Sequence, residues 1–208
     1  MIALPLSPNL PLRESSRLPV GVSTSGLSML RDLALILLAG FGAALSVHFL
    51  DSSLRIPGHA ILRSILPISL GIALVPRRLS GSLIAAAAVG SSMLLERAGV
   101  EGVGAGAFTS MLLSGPLFDI VMWQASAGFG IYLRCILVGL LTNFFAFVIR
   151  GGGKLGGWDA LTMRPFSQWW SQAAMSYAIC GLIAGLIVAI AWFRWSPRKA
   201  SLPVESAP

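Results

Sequence analysis

Charge is what this sequence has least of. Only 11% of its 208 residues are Asp, Glu, Lys or Arg, while 55% are hydrophobic and the mean hydropathy is +0.81. A water-soluble domain carries roughly 25% charged residues, so much of this chain's surface has to face something other than water. Cysteine is nearly absent too. Cys135 and Cys180 both sit inside apolar runs, with no spacing for a structural metal or a redox pair, and read as small core residues. The strings that carry intramembrane chemistry are missing as well. Ser114 follows Leu112-Leu113 rather than a serine-protease G-x-S-G lead, and neither histidine lies in the last three apolar runs. No H-E-x-x-H, no Walker loop and no repeated Mg-binding aspartates occur. The expectation is a protein that is not an enzyme, with no catalytic residue and no cofactor. The net charge of +7 comes from basic residues at the ends of apolar runs, a membrane-topology pattern rather than a nucleic-acid face.

What is present is hydrophobic length. Apolar segments run over 31–50, 60–76, 79–95, 105–123, 128–149 and 174–195. A helix needs about 20 apolar residues to cross the hydrocarbon core, so the pattern predicts an all-α membrane protein, a bundle of about six transmembrane helices. Residues 1–30, rich in Pro, Ser and Leu, read as a flexible N-terminal tail, 31–195 as the six-helix domain, and 196–208 as a polar tail. Val75-Pro76-Arg77-Arg78-Leu79 makes a tight turn, so the second and third segments form a helical hairpin. Arg150-Gly151-Gly152-Gly153-Lys154, with its glycines, reads as an irregular interfacial connection leading to Trp158. With the N-terminus inside, nine Lys and Arg fall on the cytoplasmic side and six outside. That bias puts both termini in the cytoplasm and the chain, multi-pass, in the plasma (inner) membrane, in contact with lipid.

Small residues recur four apart: Ala39 with Ala43, Gly40 with Ala44, Ala174 with Ala178, Gly181 with Gly185. Such stripes let a second backbone approach closely, within the bundle or from a partner subunit. Polar residues inside the apolar region are costly and therefore informative. His48, Asp51, Arg55 and His59 surround the first loop, near the predicted outer face, and Pro57-Gly58 makes a turn that folds His59 back over the first helix. This group reads as a metal site built on His48, Asp51 and His59, as a polar lid over a small solute, or as a solvated loop. Asn143, Trp169, Gln172 and Tyr177 lie on the same side. The aromatics serve either as interfacial anchors or as stacking surfaces for a planar ligand, and Asn143 bonds a neighbouring helix or a solute. Near the inner face, Asp119 follows Ser114-Gly115-Pro116 and has Arg134 as its nearest partner in sequence, so a structural ion pair between them is expected.

A small, very hydrophobic six-helix chain with an Ala39-x-x-x-Ala43 face resembles the substrate-binding S component of energy-coupling factor transporters. Pro57-Gly58-His59-Ala60-Ile61-Leu62-Arg63, the Leu74-to-Arg78 turn and Thr109-Ser110 through Ser114-Gly115-Pro116-Leu117-Phe118-Asp119 are similar to members of that group. The resemblance covers about residues 31–195. It implies a bundle that captures a vitamin or a transition-metal ion from outside. It also implies docking, through Ala39 and Ala43, onto a transmembrane coupling subunit driven by a pair of cytoplasmic ATPases. The loop after the first helix would act as a gate, placing Asp51, Arg55 and His59 near the solute. The alternative is a structural or assembly membrane protein with no transported solute.

Overall fold

A computed structural model describes residues 26–50, 57–75, 77–123, 130–156 and 166–194. They form six helices: α1 (Gly26–Phe49), α2 (Ala60–Leu74), α3 (Ser80–Arg97), α4 (Ala105–Met122), α5 (Gly130–Leu155) and α6 (Phe166–Arg194). The stretches before residue 26 and after residue 194, with Asp51, Arg55, Pro76 and Trp158, lie outside the described residues. Four helices are long and apolar enough to cross a membrane, over Met29–Phe49, Ala105–Met122, Gly130–Leu155 and Trp169–Ala191. Leucines and phenylalanines stand exposed around their outer faces, as at Leu37, Leu38, Phe144 and Leu182, and an apolar exterior on helices of this length is what lipid contact requires. The chain is a multi-pass membrane protein. The other two helices differ. With 15 residues, α2 spans about 22 Å, short of the ~30 Å hydrocarbon core, and α3 carries four serines, Glu96 and Arg97.

Short as it is, α2 touches each of the other helices, and the rest fan around it in the order α1, α3, α4, α5, α6. Its sequence explains the position. Ile61 and Ile65 pack with Phe118, Cys135, Val138 and Val188 on the α4–α5–α6 side. Ile68 packs with Ala43, Val47, Ile84 and Met111 on the α1–α3–α4 side. Burying one such side chain contributes roughly 1.5–3 kcal/mol where the reference is water; in a bilayer the close fit itself matters more. Pro67 lies inside α2, and a proline leaves the carbonyl four residues earlier without its helical partner. That carbonyl belongs to Arg63, and the Ser46 hydroxyl of α1 donates to it at 2.8 Å.

Most of the small-residue pairs are used inside the bundle, although Ala178 of the Ala174–Ala178 pair is exposed. On α5 and α6, a side chain at Gly181 would lie 2.7 Å from the Gly139 carbonyl oxygen, and one at Gly185 2.6 Å from the Ile136 Cα. The two backbones therefore cross in contact, as the four-residue spacing of Gly181 and Gly185 suggests. The first-helix stripe meets the same fate. Ala43 is fully buried, Ala39 Cβ sits against Gly71 of α2, and Gly40 is closed by Ala87 and Ala88 of α3. The expected docking face at Ala39 and Ala43 is thus corrected to an internal one, because the nearest backbones able to use it are the chain's own. Two further boundaries move. The Gly151–Gly153 run is helical rather than irregular, continuing α5 to Leu155, and α6 starts at Phe166, which brings Trp169 inside the helix.

At the end of the bundle where α3 begins, charged groups hold the chain together. Asp32 of α1, 7% exposed, pairs with Arg77 and lies 3.7 Å from Arg31. Arg78 stacks over Trp123 at 3.6 Å. Leu79, at φ 67°, turns the chain into α3 but cannot cap it with its side chain. The orphaned N–H groups of Gly81 and Ser82 donate instead to Asp119 of α4, at 3.1 and 2.7 Å, joined by the Ser82 hydroxyl at 2.7 Å. A carboxylate at a helix N-terminus gains both hydrogen bonds and the helix dipole. The expected Asp119–Arg134 ion pair does not form; Arg134 donates to the Val121 carbonyl at 2.6 Å. Each side chain satisfies a helix end rather than the other.

Replacing Asp119 by Ala is expected to cost about 1–3 kcal/mol. In a double-mutant cycle with Arg134→Gln, read by reversible unfolding in mixed micelles, the two losses add to within about 0.5 kcal/mol. A coupling well beyond that restores the ion pair.

Candidate functional site

The opposite end of the bundle gathers the ends of α1, α3 and α5 with the starts of α2 and α4 and the first turns of α6. Its geometry depends on the Pro57–His59 turn ahead of α2. Gly58 adopts φ +85°, and a side chain there would come within 2.9 Å of the Tyr177 Cα, so the turn is pressed against α6. Asn143, 1% exposed within α5, donates its amide to the Gly58 carbonyl at 3.2 Å and the Tyr177 carbonyl at 2.8 Å. Ser176 donates to the Pro57 carbonyl at 2.6 Å. Two helices therefore supply the donors that the turn's carbonyls need away from water.

From the anchored turn the chain enters α2 with His59 and Arg63 on one side. Arg63 donates to the Val47 carbonyl at 3.1 Å and to the Leu50 carbonyl, closing the C-terminus of α1, where a cation is also favoured by the helix dipole. Its other terminal nitrogen donates to His59 Nε2 at 3.0 Å. The Pro-Gly turn thus folds His59 back toward the end of α1, with Arg63 as the link.

Between these elements lies a cavity of about 820 Å³. Its walls are the Gly58–Arg63 turn, the first turn of α4 from Gly104 to Ala107, the last turns of α5 from Val148 to Gly153, and Tyr177. The glycines of α5 leave room there: Gly152 and Gly153 line the space, and a side chain at either would meet nothing within 4 Å. Tyr177 is 3% exposed, and its hydroxyl lies beside Arg150 and 3.1 Å from where a Gly106 side chain would begin. Behind this wall Phe147 stacks on Trp169 at 5.6 Å and meets Tyr177 edge-on at 5.7 Å. That aromatic layer fixes the tyrosine.

The residues expected at this end divide sharply. His59 and Tyr177 line the cavity, and Asn143 holds its floor. Trp169 backs the wall without lining it, with the Lys154 ammonium 5.4 Å from its ring centre, so it is a packing residue. Gln172 is exposed and does not line the cavity. His48 belongs elsewhere: one ring nitrogen meets the Glu101 carbonyl at 3.0 Å and the other the Ser92 hydroxyl at 2.9 Å, tying α1 to α3. Asp51 and Arg55 lie outside the described residues. Among the described residues no three of His, Cys, Asp and Glu come together; Asp51, the third member of the metal reading, lies outside them, and both ring nitrogens of His48 are engaged between helices.

Two contributors escaped the sequence reading. Arg150 was counted as a loop charge, yet it lies on α5 in register with Asn143 and Ala146, at three- and four-residue spacing on one face. The first turn of α4, with no charged side chain of its own, carries no signal in sequence. Comparison with protein-family models, with curated proteins and with solved structures finds no match for this chain.

Asn143→Leu is expected to cost about 1–3 kcal/mol by leaving buried carbonyls unpartnered, and Ser176→Ala about 1 kcal/mol. Hydrogen exchange should rise first in residues 57–63 of the Asn143 variant. Uniform protection across that turn would remove Asn143 as its anchor.

Proposed function

We propose that this chain is the solute-binding membrane subunit of an importer, of the kind that S components represent, and not an enzyme. The observation that carries the reading is the cavity at one end of the bundle, walled by the turn before α2, the start of α4, the end of α5 and Tyr177, with the turn bonded to α5 and α6. Ligand sites are concave, mostly apolar and fitted with a few convergent polar groups, and this one combines Val148, Ile149 and the glycines with His59, Arg63, Arg150 and Tyr177. In this reading both termini are cytoplasmic and successive helices alternate in direction, so the cavity end faces outward, where an importer captures its solute.

The segments that carry the resemblance to S components serve the same reading. Pro57-Gly58-His59 forms the anchored turn, and the Ser114-to-Asp119 string of α4 supplies the carboxylate that caps α3. The chain has no nucleotide-binding loop of its own, so uptake against a gradient calls on a transmembrane coupling subunit and a cytoplasmic ATPase pair. Ala43, fully buried in the bundle, is not available to that contact. Release follows if the bundle's contacts with the solute differ between docked and free states.

The test is purification of the tagged full chain after cross-linking in its native membrane, followed by protein mass spectrometry. The expected result is recovery of a second membrane subunit together with an ATPase pair. Recovery of the chain alone, with cross-linking confirmed on a known membrane complex in the same sample, overturns the transporter reading.

A further inference from the structure

The charge of the cavity is one-sided. Arg63, Arg150 and His59 line it, and among the described residues that line it there is no carboxylate. Arg63 is committed to the carbonyls at the end of α1, so its contribution is field rather than donors. Arg150 is placed differently. Its side chain runs past Gly106 of α4 to the Tyr177 hydroxyl, whose own side chain is 97% withdrawn from solvent and directed at the same spot. The start of α4 adds to this arrangement. Gly104 provides no side-chain cap, and its carbonyl takes the N–H groups of Ala107 and Phe108 at 2.9 and 3.1 Å. Among the described residues the N–H groups of Ala105 and Gly106, both at the cavity wall, meet no backbone acceptor. The start of α3 has the same deficit and fills it with the carboxylate of Asp119.

We propose that the cavity binds the carboxylate or phosphate of a small molecule with an apolar body, its anionic oxygens held by Arg150, Tyr177 and the open first turn of α4. An arginine beside a buried hydroxyl, in a wall of low polarity, gives an anion charge-assisted hydrogen bonds without a competing carboxylate. Val148 and Ile149 line the same space and accept the apolar body. A lipid headgroup and a free solute share this chemistry. The proposal rests on the solute-binding reading and narrows it to one charge class.

The experiment uses the full chain in phosphatidylcholine nanodiscs, with calorimetric titration of phenyl phosphate and of benzylamine, its cationic counterpart. Phenyl phosphate is expected to bind and benzylamine not. Arg150→Gln should weaken phenyl phosphate tenfold or more, Tyr177→Phe at least threefold, and Arg150→Lys should recover part of the loss. Circular dichroism of each variant checks that the helices persist. If phosphatidylglycerol in the nanodisc weakens phenyl phosphate on the native chain but not on Arg150→Gln, the anion is a headgroup; an unchanged affinity makes it a free solute. Preferential binding of benzylamine overturns the anion assignment and leaves the solute-binding reading standing. Binding of neither probe, or equal binding by native chain and Arg150→Gln, also overturns it, while the importer reading is still decided by partner recovery.

Discussion

A peptide group removed from water has to find its partner within the protein, and this chain meets that demand most severely around α2. The helix is short, interrupted by Pro67, and approached through a glycine turn whose carbonyls lie between two other helices. Each shortfall is met by a neighbour: Ser46 for the Arg63 carbonyl, Asn143 for Gly58, Ser176 for Pro57. Because those donors come from α1, α5 and α6, satisfying one short helix fixes the relative positions of the rest. The cavity is the space that this arrangement leaves where the glycines of α5 and the first turn of α4 face the turn.

The two ends of the bundle solve their electrostatics in different ways. At the α3 end charged groups meet protein partners: Asp32 with Arg77, Arg78 with Trp123, Asp119 with a helix start, Arg134 with a helix end. That end is a structural layer. At the other end His59, Arg63 and Arg150 line a space whose described walls hold no carboxylate, beside the uncapped start of α4. The contrast within one molecule is the reason for placing recognition at the cavity end.

Hydrophobic length made the helices legible in the sequence, because apolar runs of this kind have few other folds. The Pro-Gly turn was legible for the same kind of reason, since few residue pairs reverse a chain so tightly. Small-residue spacing correctly signalled close backbone contact at Gly181 and Gly185, but spacing does not say whose backbone arrives, and Ala39 and Ala43 turned out to face α2 and α3. Nearness in sequence misled at Asp119, where the strongest claim on a carboxylate came from uncapped N–H groups that no composition reveals. His48 and His59 differ in the same way. Their shared loop suggested a shared site, whereas the helices carry one to α3 and the other to the cavity. Arg150 was hidden by the glycines beside it, which read as a break in the helix although they continue it and make the room that a ligand would use.

The central claim is that the cavity holds a solute, and native mass spectrometry of the full chain, released directly from membrane nanodiscs, tests it most directly beside a cavity-filled variant. Gly106→Leu projects a side chain from the first turn of α4 into the space before Tyr177. The account predicts a discrete small-molecule mass on the native chain that is absent from the variant, with helicity unchanged by circular dichroism. A bare native chain, or the same adduct on both proteins, would contradict it.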